Sequence, residues 1–314
     1  MTQNRTLIRP RALQDGDVIR VVAPASPFKS EDLAAGVRVL ESWGYRVRVP
    51  DDIFSSWHYL AGSPRRRADE LHAAFLDAEA AAILPVRGGY GLTTLLPLLD
   101  AELVRAHPKV VVGCSDLTVL LQWLYSEVGM ASFHGPMVGA LGKGSDEAGA
   151  QRLRELLRSD QKPSSMRSAL DDAHGWCLSP GVASGRVLGG SLSLLAALCG
   201  TPLQPDTRGA VLFLEDVGER PYRIDRLLTQ LHQSGLFAGV EGVVLGDFVG
   251  CDEPAGEPSW RDAADRVFRN LPIPVVAGLS FGHGEPNLAF PVGTRVRMDA
   301  GQGLVEFREA PLVR

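Results

Sequence analysis

The chain has 314 residues, more than the usual size of one domain, so its length favours two domains. Hydrophobic residues make up 45% of it and charged residues 22%, as in an ordinary soluble globular protein. The net charge of −5 argues against a nucleic-acid partner, and no stretch reaches the roughly 18 apolar residues that a membrane-spanning helix needs.

The first 140 residues alternate between predicted strands and predicted helices. Strands are predicted at residues 17–23, 45–49, 81–86 and 109–113, and helices at residues 30–43, 65–76 and 92–99. Such alternation is typical of βαβ units, so we predict an α/β N-terminal domain, residues 1–140, with a Rossmann-like parallel sheet. Ligands bind beyond the carboxyl ends of such strands, where residues 87–91 and 113–115 lie.

The remainder is predicted to form a linker and a second domain. Residues 141–182 combine turn-forming residues with one helix at 147–158, which is typical of an inter-domain linker. In the C-terminal domain, residues 183–314, we predict a turn entering a helix at 189–195, strands at 210–214, 242–246 and 273–277, and a helix near Pro221. Alternation at 295–298 and 304–307 predicts an antiparallel hairpin.

The start of the chain and its cysteines favour a cytoplasmic location. Residues 1–5 lead into no apolar signal core, because polar and charged residues interrupt the stretch after them. The four cysteines, Cys114, Cys177, Cys199 and Cys251, are widely scattered and form no CxxC pair. This spacing argues against a disulfide framework or a zinc site and fits a reducing compartment.

Ser115 lies at the corner between a buried strand and a predicted helix. One interpretation makes it the helix N-cap, a position that serine favours. The other makes it a nucleophile that the corner exposes above the end of the sheet. The G-x-S-x-G signature of the α/β-hydrolases fails here, because Leu117 stands where the last glycine belongs. Cys114 follows the apolar strand directly, so we interpret it as a buried small residue rather than a thiol nucleophile.

Two residues of the C-terminal domain complete the chemistry that a serine nucleophile needs. Glu215 ends an apolar strand, where it either forms a structural ion pair with Arg220 or Arg223 or orients a functional group. His283 is flanked by glycines that leave it little packing, so we predict that it is presented to a cleft. Ser115, His283 and Glu215 supply the nucleophile, base and orienting acid of acyl transfer.

Acyl transfer also needs an oxyanion hole. The candidate donors are the amide of Asp116, at a helix N-terminus, and the amide of Gly88 or Gly89, where glycine permits close approach of the backbone. No G-x-G-x-x-G motif after the first strand, no P-loop and no spaced set of metal ligands offers a competing site.

His134 is a second candidate histidine, and the basic cluster at residues 65–67 is interpreted as structural. His134 has the second most functional setting among the seven histidines. The basic cluster at residues 65–67 is short and starts an amphipathic pattern, so we interpret it as a solvated helix face rather than a polyanion site.

Seven motifs together resemble the LD-carboxypeptidase family of serine peptidases, which includes the murein tetrapeptide carboxypeptidases and the microcin C immunity peptidases. They lie at residues 24–26, 87–91, 113–118, 133–136, 189–193, 214–216 and 281–284, in the order of the family. The resemblance therefore covers nearly the whole chain. One departure concerns Ser191, which stands where many members have asparagine.

The resemblance implies a parallel-sheet N-terminal domain, a smaller C-terminal domain rich in strands, and a catalytic cleft between them. It also implies a cytoplasmic homodimer with no metal or organic cofactor. It places the nucleophile on Ser115, the acid on Glu215 and the base on His283. The oxyanion amides fall on Asp116 and on Gly88 or Gly89.

The implied reaction is hydrolysis of the bond between an L-centre and a C-terminal D-residue, which releases D-alanine from a murein tetrapeptide. Arg87 is a candidate for binding the substrate carboxylate, although a structural ion pair is an equal alternative, and Tyr90 is a second candidate substrate contact. A peptidyl-adenylate of the microcin type is an alternative substrate. A non-catalytic peptide-binding module is the alternative from another functional class.

Overall fold

The computed structural model describes residues 6–168, 170 and 175–314. The chain divides into two units. The first consists of Met1–Gln161, Leu288–Pro291 and Pro311–Arg314, and the second of Lys162–Asn287 and Val292–Ala310. The predicted linker is thus divided between the two units after Gln161. Residues 169 and 171–174 of this linker lie outside the described residues, and so do residues 1–5 of the predicted N-terminal domain. The boundaries at 140 and 182 stay predictions.

Strands and helices alternate as far as residue 134, and again between residues 182 and 277. The strands are β1 Val18–Val22, β2 Arg46–Arg48, β3 Ala80–Pro85, β4 Val110–Gly113, β5 Ser132–His134, β6 Met166–Arg167, β7 Trp176–Ser179, β8 Val182–Ser191, β9 Ala210–Val217, β10 Gly242–Val249, β11 Val275–Ala277, β12 Phe290–Val292, β13 Arg295–Asp299 and β14 Leu304–Phe307. The helices are α1 Ser30–Ser42, α2 Pro64–Leu76, α3 Ala101–Ala106, α4 Thr118–Trp123, α5 Val138–Lys143, α6 Glu147–Leu157, α7 Leu192–Leu198, α8 Pro221–Gln233 and α9 Trp260–Phe268.

The first sheet has the order β12-β5-β4-β3-β1-β2, and the pairs among β1 to β5 are parallel. Every residue of β3 and β4 is buried, which matches a parallel sheet covered on both faces. The predicted α/β fold is therefore confirmed. Because the strands are parallel, the loops after β3 and β4 leave the sheet at one edge, which brings residues 87–91 and Ser115 together.

The second sheet has the order β6-β14-β13-β8-β9-β10-β11-β7. Its central strands β8 to β11 are parallel, while β13, β14, β6 and β7 add antiparallel pairs on either side. The predicted hairpin is confirmed as β13 and β14. Glu215 lies at the carboxyl end of β9, in register with Ser191 at the end of β8.

Two predicted elements are wrong, and each has a physical reason. The segment 92–99 forms two 3-10 turns, Leu92–Thr94 and Leu96–Leu98, instead of an α-helix, and Pro97 lacks the N–H that a regular helix requires. Gly189 lies within strand β8 rather than in a turn, and a Cβ there would come 2.0 Å from the carbonyl oxygen of Phe213. Glycine at this position indicates close approach of two strands.

No helix within the described ranges is long and apolar enough to cross a membrane.

Candidate active site

Ser115 follows strand β4 directly after Cys114 and opens a 3-10 turn, Ser115–Leu117, that leads into α4. Its φ of +59° is in the left-handed region, which a residue with a Cβ adopts at a cost of roughly 1–2 kcal/mol. The N-cap position of the turn belongs to Cys114, so the interpretation of Ser115 as a helix cap is wrong. Strained backbone of this kind concentrates at functional corners.

The loop after β3 approaches Ser115 closely. A Cβ added at Gly88 would lie 2.9 Å from Cβ and 3.1 Å from Oγ of Ser115, and 3.3 Å from the amide nitrogen of Asp116. Only glycine accommodates this distance without a shift of the neighbouring atoms. The structure thus brings together Gly88, Ser115 and Asp116, three of the predicted site residues.

Ser26 holds the next residues of this loop. The amide of Tyr90 donates to Oγ of Ser26 at 3.1 Å, and the amide of Ser26 donates to the carbonyl of Gly88 at 3.3 Å. Gly89, with φ +112°, lies so near that a Cβ would come 2.3 Å from Oγ of Ser26. Ser26 therefore fixes the peptide groups on either side of Gly89.

The basic cluster at residues 65–67 only partly faces solvent. Arg67 is fully buried, so its interpretation as part of a solvated face is wrong. Its guanidinium donates to main-chain carbonyls, including that of Gly91 at 3.0 Å. Hydrogen bonds to distant backbone carbonyls produce no periodic pattern in a sequence. The amphipathic pattern of α2 therefore did not indicate that Arg67 is buried.

The side chain of Asp116 is fully buried and accepts the amide of Leu92 at 2.9 Å. Burial raises the pKa of this carboxyl, against the opposing effects of the amides of Leu92 and Gly91 and of the charge of Arg67. The side chain of Asp116 thus holds the loop after β3 from a residue that lies within the turn at Ser115.

In the second unit, Oε2 of Glu215 lies 2.6 Å from Nδ1 of His283. Glu215 is fully buried, and the His283 side chain is 23% exposed. The alternative of a structural ion pair is wrong, because Arg220 pairs with Glu253 and Arg223 with Glu219. A carboxylate on Nδ1 sets the ring orientation and leaves Nε2 as the nitrogen that can take a proton.

The glycines beside His283 allow two acidic side chains to approach the loop. A Cβ added at Gly282, where φ is +114°, would lie 2.5 Å from Oε2 of Glu215. At Gly284 it would lie 2.4 Å from Oδ2 of Asp247, near the end of β10. The sequence interpretation was that these glycines leave His283 little side-chain packing. The structure adds a second reason, since only glycine leaves room for the carboxylates of Glu215 and Asp247.

The acidic surroundings favour the protonated form of His283. Burial lowers the pKa of the imidazole, but the hydrogen bond and charge of Glu215 and the charge of Asp216 outweigh it, so the pKa is raised. Asp216 accepts the amides of Ser193 at 2.7 Å and of Val217 at 2.9 Å. Burial, the largest cause, raises its own pKa to about 6. Ser191, whose Oγ lies 3.0 Å from that of Ser193, belongs to the same polar group.

The remaining candidates occupy different environments. Arg87 is exposed and donates to the carbonyl of Pro27 at 3.3 Å, and within the described part of the chain it forms no ion pair. Tyr90 is 49% exposed and lies against Tyr59, with ring centroids 5.7 Å apart. His134 is fully buried and stacks on Phe290 at 4.8 Å, which removes it from the surface.

Comparison with known proteins shows the family of this chain. A model of the LD-carboxypeptidase N-terminal domain matches residues 19–135, and one of the LD-carboxypeptidase C-terminal domain matches residues 184–298. The chain belongs to the LD-carboxypeptidase family. As a member of this family, it is a serine-type carboxypeptidase.

Relatives of this LD-carboxypeptidase align along nearly their whole length. A putative carboxypeptidase of Synechocystis is 38% identical over 96% of this chain and 98% of its own. The murein tetrapeptide carboxypeptidase of Pseudomonas aeruginosa is 32% identical over 88% of this chain and 91% of its own. The crystal structure of an MccF-like protein from Bacillus anthracis matches with a TM-score of 0.84 at 26% identity, covering 96% of this chain and 99% of that one.

Proposed function

We propose that this LD-carboxypeptidase hydrolyses the L–D peptide bond of murein tetrapeptide and releases the terminal D-alanine. The observation that carries the proposal is the 2.6 Å contact between Glu215 and His283. A carboxylate–imidazole pair of this kind activates the serine nucleophile in serine hydrolases. The relative from Pseudomonas aeruginosa, named a murein tetrapeptide carboxypeptidase, supports the substrate.

The proposed reaction begins at Ser115. His283 takes the hydroxyl proton on Nε2 as Oγ attacks the scissile carbonyl, and Glu215 stabilises the imidazolium that forms. Collapse of the tetrahedral intermediate breaks the peptide bond, and His283 returns the proton to the amine of the departing D-alanine. Water then gives a proton to His283, attacks the ester carbonyl and releases Oγ, which regains the proton.

The oxyanion of each intermediate is proposed to accept hydrogen bonds from the amide of Asp116 and from that of Gly88 or Gly89. The amide of Tyr90 is already bound by Ser26, which supports the two preceding glycines as the donors from this loop. Such donors, fixed before the reaction, account for a large part of the rate enhancement of acyl transfer.

Arg87 is proposed to bind the C-terminal carboxylate of the substrate, with Tyr90 beside it. The exposed guanidinium has one carbonyl contact and retains N–H donors for a bidentate pair. We expect Arg87→Ala to raise KM more than it lowers kcat, with Arg87→Lys intermediate.

A second candidate substrate is a peptidyl-adenylate of the microcin C type, cleaved by the same triad. The fold shared with the MccF-like protein at a TM-score of 0.84 supports it. Side-by-side assays of D-alanine release from murein tetrapeptide and of hydrolysis of an aminoacyl-sulfamoyl adenylate separate the two.

We further infer that the enzyme acts in the cytoplasm as a homodimer. Within the described residues, Cys114, Cys177, Cys199 and Cys251 form no disulfide bond, which fits a reducing compartment. Light scattering of the purified chain should give twice the mass of one chain.

The decisive experiment compares the wild-type chain with Ser115→Ala. We expect loss of at least about 10³-fold in turnover, since removing one triad member disables the unit. A serine-directed phosphonate should label the wild type and not the variant. Retained release of D-alanine by Ser115→Ala contradicts the assignment, and a wild type that binds peptide without acylation or turnover supports a binding module instead.

A further inference from the structure

Arg67 is a buried arginine of helix α2 whose guanidinium reaches the loops beside the proposed nucleophile. Its Nε donates to the carbonyl of Gly62 at 3.1 Å. Nη1 donates to the carbonyls of Pro24 at 2.7 Å and Gly91 at 3.0 Å, and Nη2 donates to Oγ1 of Thr94 at 3.3 Å. These contacts join α2 to the segments that follow β1 and β3.

A single peptide group contacts two buried charges. The carbonyl of Gly91 accepts from Arg67, and the N–H of the same peptide, carried by Leu92, donates to the carboxylate of Asp116 at 2.9 Å. Arg67 and Asp116 are both 0% exposed. We call this arrangement of Arg67, the Gly91–Leu92 peptide and Asp116 the peptide clamp.

Glycine at position 91 is required for the clamp to close. Its φ is +127°, and a Cβ would lie 2.6 Å from Nη1 of Arg67 and 2.6 Å from Cδ2 of Leu60. A buried charge without a partner is strongly unfavourable, so each member of the clamp depends on the others.

The clamp connects the two segments that carry the proposed oxyanion donors. Gly88 and Gly89 precede the Gly91–Leu92 peptide in one loop, and Asp116, whose side chain is a member of the clamp, carries the other donor on its own amide. We propose that Arg67 is a positioning residue that sets the spacing of the two oxyanion donors, an inference that rests on the function proposed above. Displacement of a catalytic group by about 1 Å is enough to lower a rate about 100-fold.

A positioning role and a purely structural role predict different kinetics. Oxyanion donors act on the transition state more than on bound substrate, so their displacement lowers kcat and leaves KM nearly unchanged. A purely structural role lowers the amount of folded enzyme and leaves both constants of the folded fraction unchanged.

The experiment measures D-alanine release from murein tetrapeptide by full-length Arg67→Met, Arg67→Lys and the matched control Arg66→Met. Arg66 is the neighbouring arginine of α2, and it pairs with Asp52 and Glu70 rather than with the clamp. We expect kcat to fall about 100-fold in Arg67→Met with KM within threefold, and to stay within twofold in the control. Arg67→Lys keeps a positive charge opposite Asp116 for folding and loses the directed N–H bonds, so kcat should fall about 10-fold.

Amide hydrogen exchange at residues 88–92 provides a measurement that does not depend on turnover. We expect faster exchange there in both Arg67 variants than in Arg66→Met. Unchanged kcat in a folded Arg67 variant, an equal fall in Arg66→Met, or unchanged exchange at residues 88–92 overturns the proposal. If the wild type releases no D-alanine, the proposed function fails, while the exchange rates still decide whether Arg67 holds the loop.

Discussion

Glu215 and His283 lie 68 positions apart in the chain, and Oε2 of the first contacts Nδ1 of the second at 2.6 Å. The contact forms because β9 and β11 end at the same edge of the second sheet, so the loop after β11 reaches the last buried residues of β9. A Cβ at position 282 would block this contact, and Gly282 has none. The orientation of the proposed base is therefore a property of the second unit alone.

Substitution of Glu215 should change both the rate and its pH dependence. The pKa of His283 is raised because Glu215 and Asp216 outweigh burial, so loss of the Glu215 charge lowers it. The base acts in its neutral form, and the acidic limb of kcat/KM should therefore move to lower pH in Glu215→Gln. We expect kcat/KM at its optimum to fall about 10³–10⁴-fold, because the ring loses its fixed tautomer.

Measurement of kcat/KM between pH 5 and 9 checks this expectation. Glu309→Gln is the control, since Glu309 pairs with Arg186 at 3.0 Å in the same unit. A limb that stays in place or moves to higher pH would show that Glu215 does not govern the titration of His283.

The left-handed backbone conformation of Ser115 should lower the free energy of unfolding of the protein. Ser115→Gly and Ser115→Ala both remove the hydroxyl, but only glycine adopts φ +59° without strain. We expect Ser115→Gly to exceed Ser115→Ala in free energy of unfolding by about 1 kcal/mol. Urea denaturation of the two inactive variants measures the difference, and equal stabilities would mean that the turn carries no strain.

A methyl group at position 88 should displace the proposed oxyanion loop. A Cβ there would come 2.9 Å from Cβ of Ser115, too close without movement of one of the two segments. We expect Gly88→Ala to lower kcat about 100-fold while the chain stays folded. Gly301→Ala is the matched control, because the nearest atom to its Cβ would be 3.7 Å away. Wild-type turnover in Gly88→Ala would remove this loop from the proposed oxyanion hole.

Local periodicity explains which parts of the fold could be predicted. Three β-branched residues at 110–112 and the boundaries set by Pro24 and Gly44 specify strands and helices within a few neighbouring residues. The helix predicted from Ser30 begins there, and Gly44 has φ +95° just beyond its end. Such signals need no knowledge of distant segments.

Features that depend on distant partners could not be predicted in the same way. Arg67 looks like its exposed neighbour Arg65 in the sequence, and its burial depends on acceptors that include the distant carbonyls of Pro24 and Gly91. Gly189 resembled a turn residue because the strand against which it packs lies more than twenty positions away. The motifs identified Ser115, Glu215 and His283 as candidates, but the strain and the hydrogen bond at these residues come from the folded chain.

Asp216 should make the stability of the protein fall as pH rises. Burial raises its pKa from 3.8 to about 6 in the folded chain, whereas the unfolded chain keeps the lower value. Between about pH 4 and pH 6 the folded state holds a proton that the unfolded state has lost, so the free energy of unfolding decreases over this range. The loss approaches about 2–3 kcal/mol above pH 6, at 1.36 kcal/mol per pKa unit.

Urea denaturation of the wild type and Asp216→Asn between pH 4 and 7 tests this sign. Asparagine does not titrate, so the difference in unfolding free energy between the two proteins should change by about 2–3 kcal/mol across the range, in favour of the variant at the higher pH. The variant also loses part of the acceptor capacity for the amides of Ser193 and Val217, which shifts its whole curve downward without altering the slope. Parallel curves would mean that Asp216 titrates equally in the folded and unfolded chains, and that its hydrogen bonds fully compensate its burial.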